Sequence, residues 1–332
     1  MSVALIAIFV TDDQNPAERP VSQDQALVES PAPVDLESEK PQVQEPSPTY
    51  LFENAELRPL ARLFLYGSMA AVLYFFLNLL MYYLGGKIEG SLRLEMIAEV
   101  GLLVVATAPA VVLARLEGRP WGAYGLPSSG ILGKLFWSGL AWGLIAISLL
   151  MLALELSGAY HVERPALHGL RILKFAVYWG GFFLVVGLFE EFLMRGYSQF
   201  TLSKTLGFWP SALLLSVGFA VIHLDNPGET ARGIVAAGAI GFFFCLTLQR
   251  TGNLWFAVGF HASWDWSESF LYSVPNSGGV SPGHLLRSHL AGPAWLSGGR
   301  TGPEGSLLVF VILVLLWFAF DRTHREVKYQ SK

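Results

Sequence analysis

Eight stretches of this 332-residue chain are apolar over roughly the length that crosses a lipid bilayer: residues 63–85, 95–114, 131–154, 174–194, 209–224, 231–249, 254–273 and 306–321. A hydrocarbon core ~30 Å thick needs about 20 helical residues at ~1.5 Å rise each. Inside lipid the backbone must satisfy its own hydrogen bonds, so such runs fold as helices. Hydrophobic residues make up 53% of the chain and charged residues 14%, against about 25% charged in an average soluble domain. The mean hydropathy of +0.46 agrees. These features predict an all-α integral membrane protein of about eight transmembrane helices, with the polar residues of the middle helices turned toward a central polar cavity.

Around this core the chain divides simply. Residues 1–60 read as a disordered, acidic, Pro-rich tail: between 11 and 60 there are 11 Asp and Glu against three Lys and Arg, in stretches such as SPAPVDLESEKPQVQEPSP that are too polar to bury a core. The opening MSVALIAIFV has no basic lead and is a poor signal peptide. Residues 61–325 form the membrane domain, with its core motifs in 170–270, and 326–332 a short C-terminal tail. Twelve of the 22 Lys and Arg fall on one side of the predicted spans and eight on the other, which favours both termini in the cytoplasm. The long Gly-, Pro- and Ser-rich segment 274–304 is then an outer loop, long enough to cap the helix ends. Cys245 is the only cysteine, which excludes an intramolecular disulfide and a cysteine-based metal site. Nothing in the charge pattern points to nucleic acid.

An ionisable side chain at mid-bilayer costs about 2.5–3.5 kcal/mol on insertion scales and needs a partner, water or a task. The fourth run holds LFEEFLMRGY at 188–197. Glu190 and Glu191 lie about 100° apart around the helix axis, so they are not expected to share a target. Glu191 and Arg195 have the i, i+4 order that favours an ion pair, a structural role that leaves Glu190 to face a cavity. The fifth run holds Phe219 and His223 on one face, and the seventh holds His261, Asp265 and Glu268 as one polar stripe. Asp265 is placed to orient His261, and Glu268 is close enough to the outer end to snorkel. Glu95, Glu99 and Asn78 read as bundle-facing or interface residues. Counted along their helices, Glu190 lies about 15 Å, His223 about 21 Å and His261 about 12 Å from the cytoplasmic ends, a common level somewhat on that side of the midplane.

One carboxylate and two imidazoles in a wet pocket suit hydrolysis in either of two ways. Glu190 can act as general base on water while His223 and His261 position a carbonyl and protonate the leaving amine. Alternatively Glu190, His223 and His261 hold a zinc ion that lowers the pKa of its bound water to about 7. No HExxH is present, and no organic cofactor is indicated.

Taken together, Glu190-Glu191-x-x-x-Arg195, Phe219-x-x-x-His223 and His261-x-x-x-Asp265 resemble the signature of the CPBP intramembrane proteases, which include the type II CAAX prenyl endopeptidases and bacterial members associated with bacteriocin processing or immunity. The resemblance covers about 170–270. It implies an endopeptidase of a bacterial cell membrane acting on a membrane-anchored peptide or protein, with Glu190 activating water, Glu191 and Arg195 supporting it, and His223 and His261 completing the site. The last motif position is commonly Asn in the eukaryotic enzymes, where the amide helps hold the oxyanion. An ionised Asp cannot donate to an oxyanion, so Asp265 is protonated, orients His261 or binds metal. A proton-coupled transporter and a non-catalytic, partner-binding immunity protein are the alternatives from other classes.

Overall fold

A computed structural model describes residues 58–88 and 91–329. The expected tail 1–60 lies outside the described residues except for its last three, which begin the first helix. In chain order the elements are α1 (Arg58–Ile88), α2 (Leu92–Leu116), α3 (Lys134–Leu156), β1 (Tyr160–Pro165), α4 (Leu170–Arg195), α5 (Tyr197–Leu206), α6 (Phe208–Ile222), α7 (Ala231–Thr251), α8 (Trp255–Trp266), β2 (Leu286–Leu290), α9 (Ala294–Ser297) and α10 (Leu307–Thr323).

Six helical stretches among the described residues are long and apolar enough to cross a membrane: Arg58–Gly85, Leu92–Leu116, Lys134–Leu156, Leu170–Leu206, Phe208–Asp225 and Ala231–Thr251. The other two of the eight expected runs are shorter helices. The seventh is the 12-residue α8 extended by a π-helical turn at Ser267–Leu271, and the eighth is the 17-residue α10. The chain is an all-α integral membrane protein. Phe64, Phe75, Phe76 and Tyr82 on α1 and Leu213, Leu214 and Val217 on α6 are exposed, which water would penalise and acyl chains do not.

The short α8 is the axis of the bundle, buried along its length from Trp255 to Asp265. It sits that deep because α3 meets it through glycine. A Cβ added at Gly139 or Gly143 would collide with the carbonyl oxygens of Phe256 and Phe260, and one at Gly259 with that of Phe136. Small residues four apart let two helix backbones touch in the absence of a hydrophobic drive between helices. Phe256 and Phe260 of α8 pack ring to ring on Phe243 and Phe244 of α7 and Phe320 of α10. Gly143→Leu is therefore expected to cost about 1–3 kcal/mol or more by overpacking and to lower the unfolding midpoint in detergent. Gly67→Leu, where an added Cβ meets nothing within 4 Å, serves as the control. Equal midpoints would refute this view of the α3–α8 contact.

The two strands form an antiparallel pair, Tyr160 opposite Leu290 and Pro165 opposite Leu286, with an irregularity between Val162 and Arg164. This pair, α9 and a turn at Pro303–Gly305 give segment 274–304 a fixed shape over one end of the bundle. Arg232 at the start of α7 fastens it, donating to the carbonyls of Gly305 (2.9 Å) and Ala294 (3.0 Å). The described part of the expected C-terminal tail is pinned as well. The backbone N–H groups of Lys328 and Tyr329 donate to the Gln249 carbonyl, and the Tyr329 ring packs on Phe200 and Phe208.

Candidate active site

Three elements bring the expected polar residues to one cavity of about 290 Å³, lined by Glu190 from α4, His223 from the end of α6, and His261 and Asp265 from α8. α4 is held at its C-terminal end by an aromatic residue just beyond it. Tyr197 donates to Glu117 at 2.9 Å and stacks on Tyr66.

His261 is the hub. Its Nδ1 lies 3.0 Å from Glu191 Oε1, and its Nε2 lies 3.5 Å from Glu190 Oε2 and 3.4 Å from Asp265 Oδ2. With acceptors at both ring nitrogens, the imidazole is placed to donate from either. The expectation that Glu190 and Glu191 cannot share a target is thereby corrected. The 100° between them is real, but α8 crosses α4 so that one ring presents its two edges to the two carboxylates. Their tasks still differ. Glu190 is 19% exposed and borders the cavity, whereas Glu191 is fully buried.

Glu191 also makes the expected pair with Arg195, 3.4 Å apart and both fully buried. The guanidinium lies over the Phe219 ring, 4.5 Å from its centroid, a cation–π contact that offsets part of its desolvation. Gly241 leaves room for it, since a Cβ there would collide with Arg195 Nη2. Phe219 thus touches Arg195 on one side and His223 on the other, ring to ring at 4.6 Å. His223 Nδ1 donates to the Phe219 carbonyl at 2.8 Å, which leaves Nε2 as the ring's remaining functional atom.

His223 begins a 3₁₀ turn just past α6. Segment 274–304 contributes Asn276, Ser277 and Gly279 to Pro282 to the cavity wall.

Glu268 departs further from expectation. It neither snorkels nor continues the His261–Asp265 stripe: it is fully buried, neither carboxylate oxygen has a hydrogen-bond partner, and it is absent from the cavity wall. Two acids read as bundle or interface residues, Glu95 and Glu99, line the cavity. Asn78 stays exposed on α1 and bonds the Tyr74 carbonyl.

Glu304 is a cavity residue that spacing did not disclose. It accepts from the Trp264 indole N–H (3.2 Å) and from the backbone N–H and hydroxyl of Ser277 (3.1 and 2.7 Å). Burial and the neighbouring Asp265 push its carboxyl above the ordinary carboxylate range. A lone Glu in a Gly/Pro loop 40 positions from its indole partner carries no periodic signal.

The donor atoms do not form a metal cage. Among the described residues no three His, Cys, Asp or Glu side chains are placed to hold a metal ion, and both nitrogens of His261 already face carboxylates.

Apolar helices that enclose carboxylates and imidazoles around a cavity define a membrane protein with an enzyme-like interior. Residues 172–267 match the family described as Type II CAAX prenyl endopeptidase Rce1-like. The matched stretch holds all three motifs, is similar to that family in line with the CPBP resemblance, and supports a membrane endopeptidase in general. Comparison with curated proteins and with solved structures found no match.

Proposed function

We propose that this chain is an intramembrane endopeptidase in which Glu190 is the general base. The observation that carries the reading is the placement of the Glu190 carboxylate at a cavity it shares with His223 and His261, inside otherwise apolar helices. A water between Glu190 and a substrate carbonyl loses its proton to Glu190, and its oxygen adds to the carbonyl carbon. The same proton then passes to the leaving nitrogen as the C–N bond breaks, yielding a carboxylic acid and an amine. His261 holds Glu190 and Asp265 from Nε2, while Glu191 fixes the ring from the other edge. His223 offers Nε2 to orient the water from the facing wall.

Asp265 acts here by sharing His261 with Glu190 and not as an oxyanion donor. The metal-free route is favoured because His261, one of the three donors a zinc ion would require, has both nitrogens turned to carboxylates. The Lys and Arg distribution supports both termini in the cytoplasm, with the capped mouth of the cavity toward the outer leaflet. The substrate is a peptide or protein anchored in the membrane.

The test is cleavage of membrane-anchored peptides by purified protein in proteoliposomes, comparing wild type with Glu190→Ala and His223→Ala. Both variants are expected to lose cleavage, and equal rates for all three would end the proposal. A strong chelator is expected to leave the wild-type rate within about twofold. A complete loss restored by zinc would instead assign Glu190, His223 and His261 to a metal.

A further inference from the structure

The charge of the cavity is one-sided. Glu95, Glu99, Glu190, Asp265 and Glu304 all line it together with His223 and His261, and no Lys or Arg among the described residues does so. Three of the five carboxylates are engaged. Glu190 and Asp265 share His261, and Glu304 takes its hydrogen bonds from Trp264 and Ser277. Glu95 and Glu99 are not: among the described residues the side chain of neither has a hydrogen bond or an ion pair. They stand one turn apart on the same face of α2, an i, i+4 like-charge pair that is unfavourable in isolation. Glu95 at least sits in the first turn of α2, behind the Ser91 N-cap, where the helix dipole favours an acid. Glu99 lies one turn deeper, beyond that effect.

A second observation points to a ligand. Ser269 lines the same cavity, is only 2% exposed, and its hydroxyl has no partner. Asn276 on the capping segment likewise lines the cavity and has an unsatisfied, buried Nδ2. Buried polar groups are normally paired, so these orphan atoms are positions where an incoming polar chain completes the bonding. Trp179, Phe182 and Phe183 of α4 line the cavity as well and supply aromatic surface of the kind that accommodates an ammonium or guanidinium group.

We infer that Glu95 and Glu99 form a specificity subsite that receives a cationic side chain, Lys or Arg, of the peptide cleaved at Glu190. The inference deepens the endopeptidase reading and rests on it. It also has a negative side: a substrate whose free C-terminal carboxylate had to enter this cavity would meet five acids and no fixed cation.

The experiment uses full-length protein in phosphatidylcholine nanodiscs, whose lipid carries no primary amine, and a set of single-span peptides identical except for Lys, Gln or Glu near the scissile bond. For wild type, kcat/KM is expected to be about tenfold higher for the Lys peptide than for the Gln peptide, and lowest for the Glu peptide. In the Glu95→Gln/Glu99→Gln variant the Lys-to-Gln ratio is expected to fall to near one. In Glu95→Lys/Glu99→Lys the order is expected to reverse, a result that a merely weakened fold cannot give. Equal rates for Lys and Gln peptides in wild type, or a ratio unchanged in both double variants, would overturn the inference.

Binding keeps this separable from the catalytic proposal. Quenching of the cavity tryptophans in the Glu190→Gln protein is expected to show the same charge preference whether or not wild type hydrolyses any peptide. Charge-selective binding without hydrolysis would leave the subsite standing and remove the endopeptidase. Hydrolysis without charge preference would do the opposite. Adding phosphatidylethanolamine to the nanodiscs tests the other source of an ammonium group. If it abolishes the difference between peptides, the acids serve a lipid headgroup and the peptide assignment fails.

Discussion

Glu190→Gln is expected to reduce kcat for peptide-bond cleavage by about 10²–10⁴-fold while leaving KM and the unfolding midpoint nearly unchanged. The amide matches the carboxylate in shape and can still accept a hydrogen bond from His261 Nε2, now 3.5 Å away, but it cannot take a proton from water. General-base catalysis contributes about that range, and a group acting only in the transition state shows its loss in kcat. Glu190 makes no structural ion pair comparable to that of Glu191 and borders an open cavity, so the fold is not expected to register the change. Single-turnover cleavage of an anchored peptide, with the melting curve beside it, reads both quantities. A Glu190→Gln protein that turns over at the wild-type rate, or one that simply fails to fold, would contradict the role assigned to this carboxylate.

The second large effect is on stability. Arg195→Leu is expected to destabilise the protein by about 3–5 kcal/mol, because it leaves Glu191 as a buried carboxylate without its cation. Both partners are fully buried, and the guanidinium also packs on Phe219 and Phe244. The double variant Glu191→Leu/Arg195→Leu is expected to recover most of the lost stability, since a buried pair replaced by apolar residues of similar size is often near neutral. Activity is not expected to return with it. Without the Glu191 oxygen at 3.0 Å, nothing fixes His261 Nδ1 and the ring is free to turn from Glu190. Recovery of fold and of cleavage together would show that Glu191 is only a stabilising residue.

Part of this arrangement is legible without coordinates. The apolar runs announce membrane helices, and the i, i+4 order of Glu191 and Arg195 announces their pair, because both signals are local to one helix. The shared target of Glu190 and Glu191 is not local: it depends on where α8 crosses α4, and that depends on Gly139, Gly143 and Gly259 permitting a close α3–α8 approach. Glu268 shows the same limit. Its spacing from His261 names a helix face, but the neighbouring elements that bury that side chain are not local to the helix. Glu304 and Glu99 reach the cavity through a loop closure and a helix rotation that leave no periodic trace.

The order of residues alone specifies a bundle of apolar helices and the few charged residues such a bundle must account for. The energy of a charge in lipid and the 3.6-residue period belong to each segment alone. Which of those charges meet is a matter of how the helices pack. A helix sets the angles between its own side chains, but its rotation and depth against its neighbours are set by packing, here by glycine contacts, aromatic rings and one capping loop.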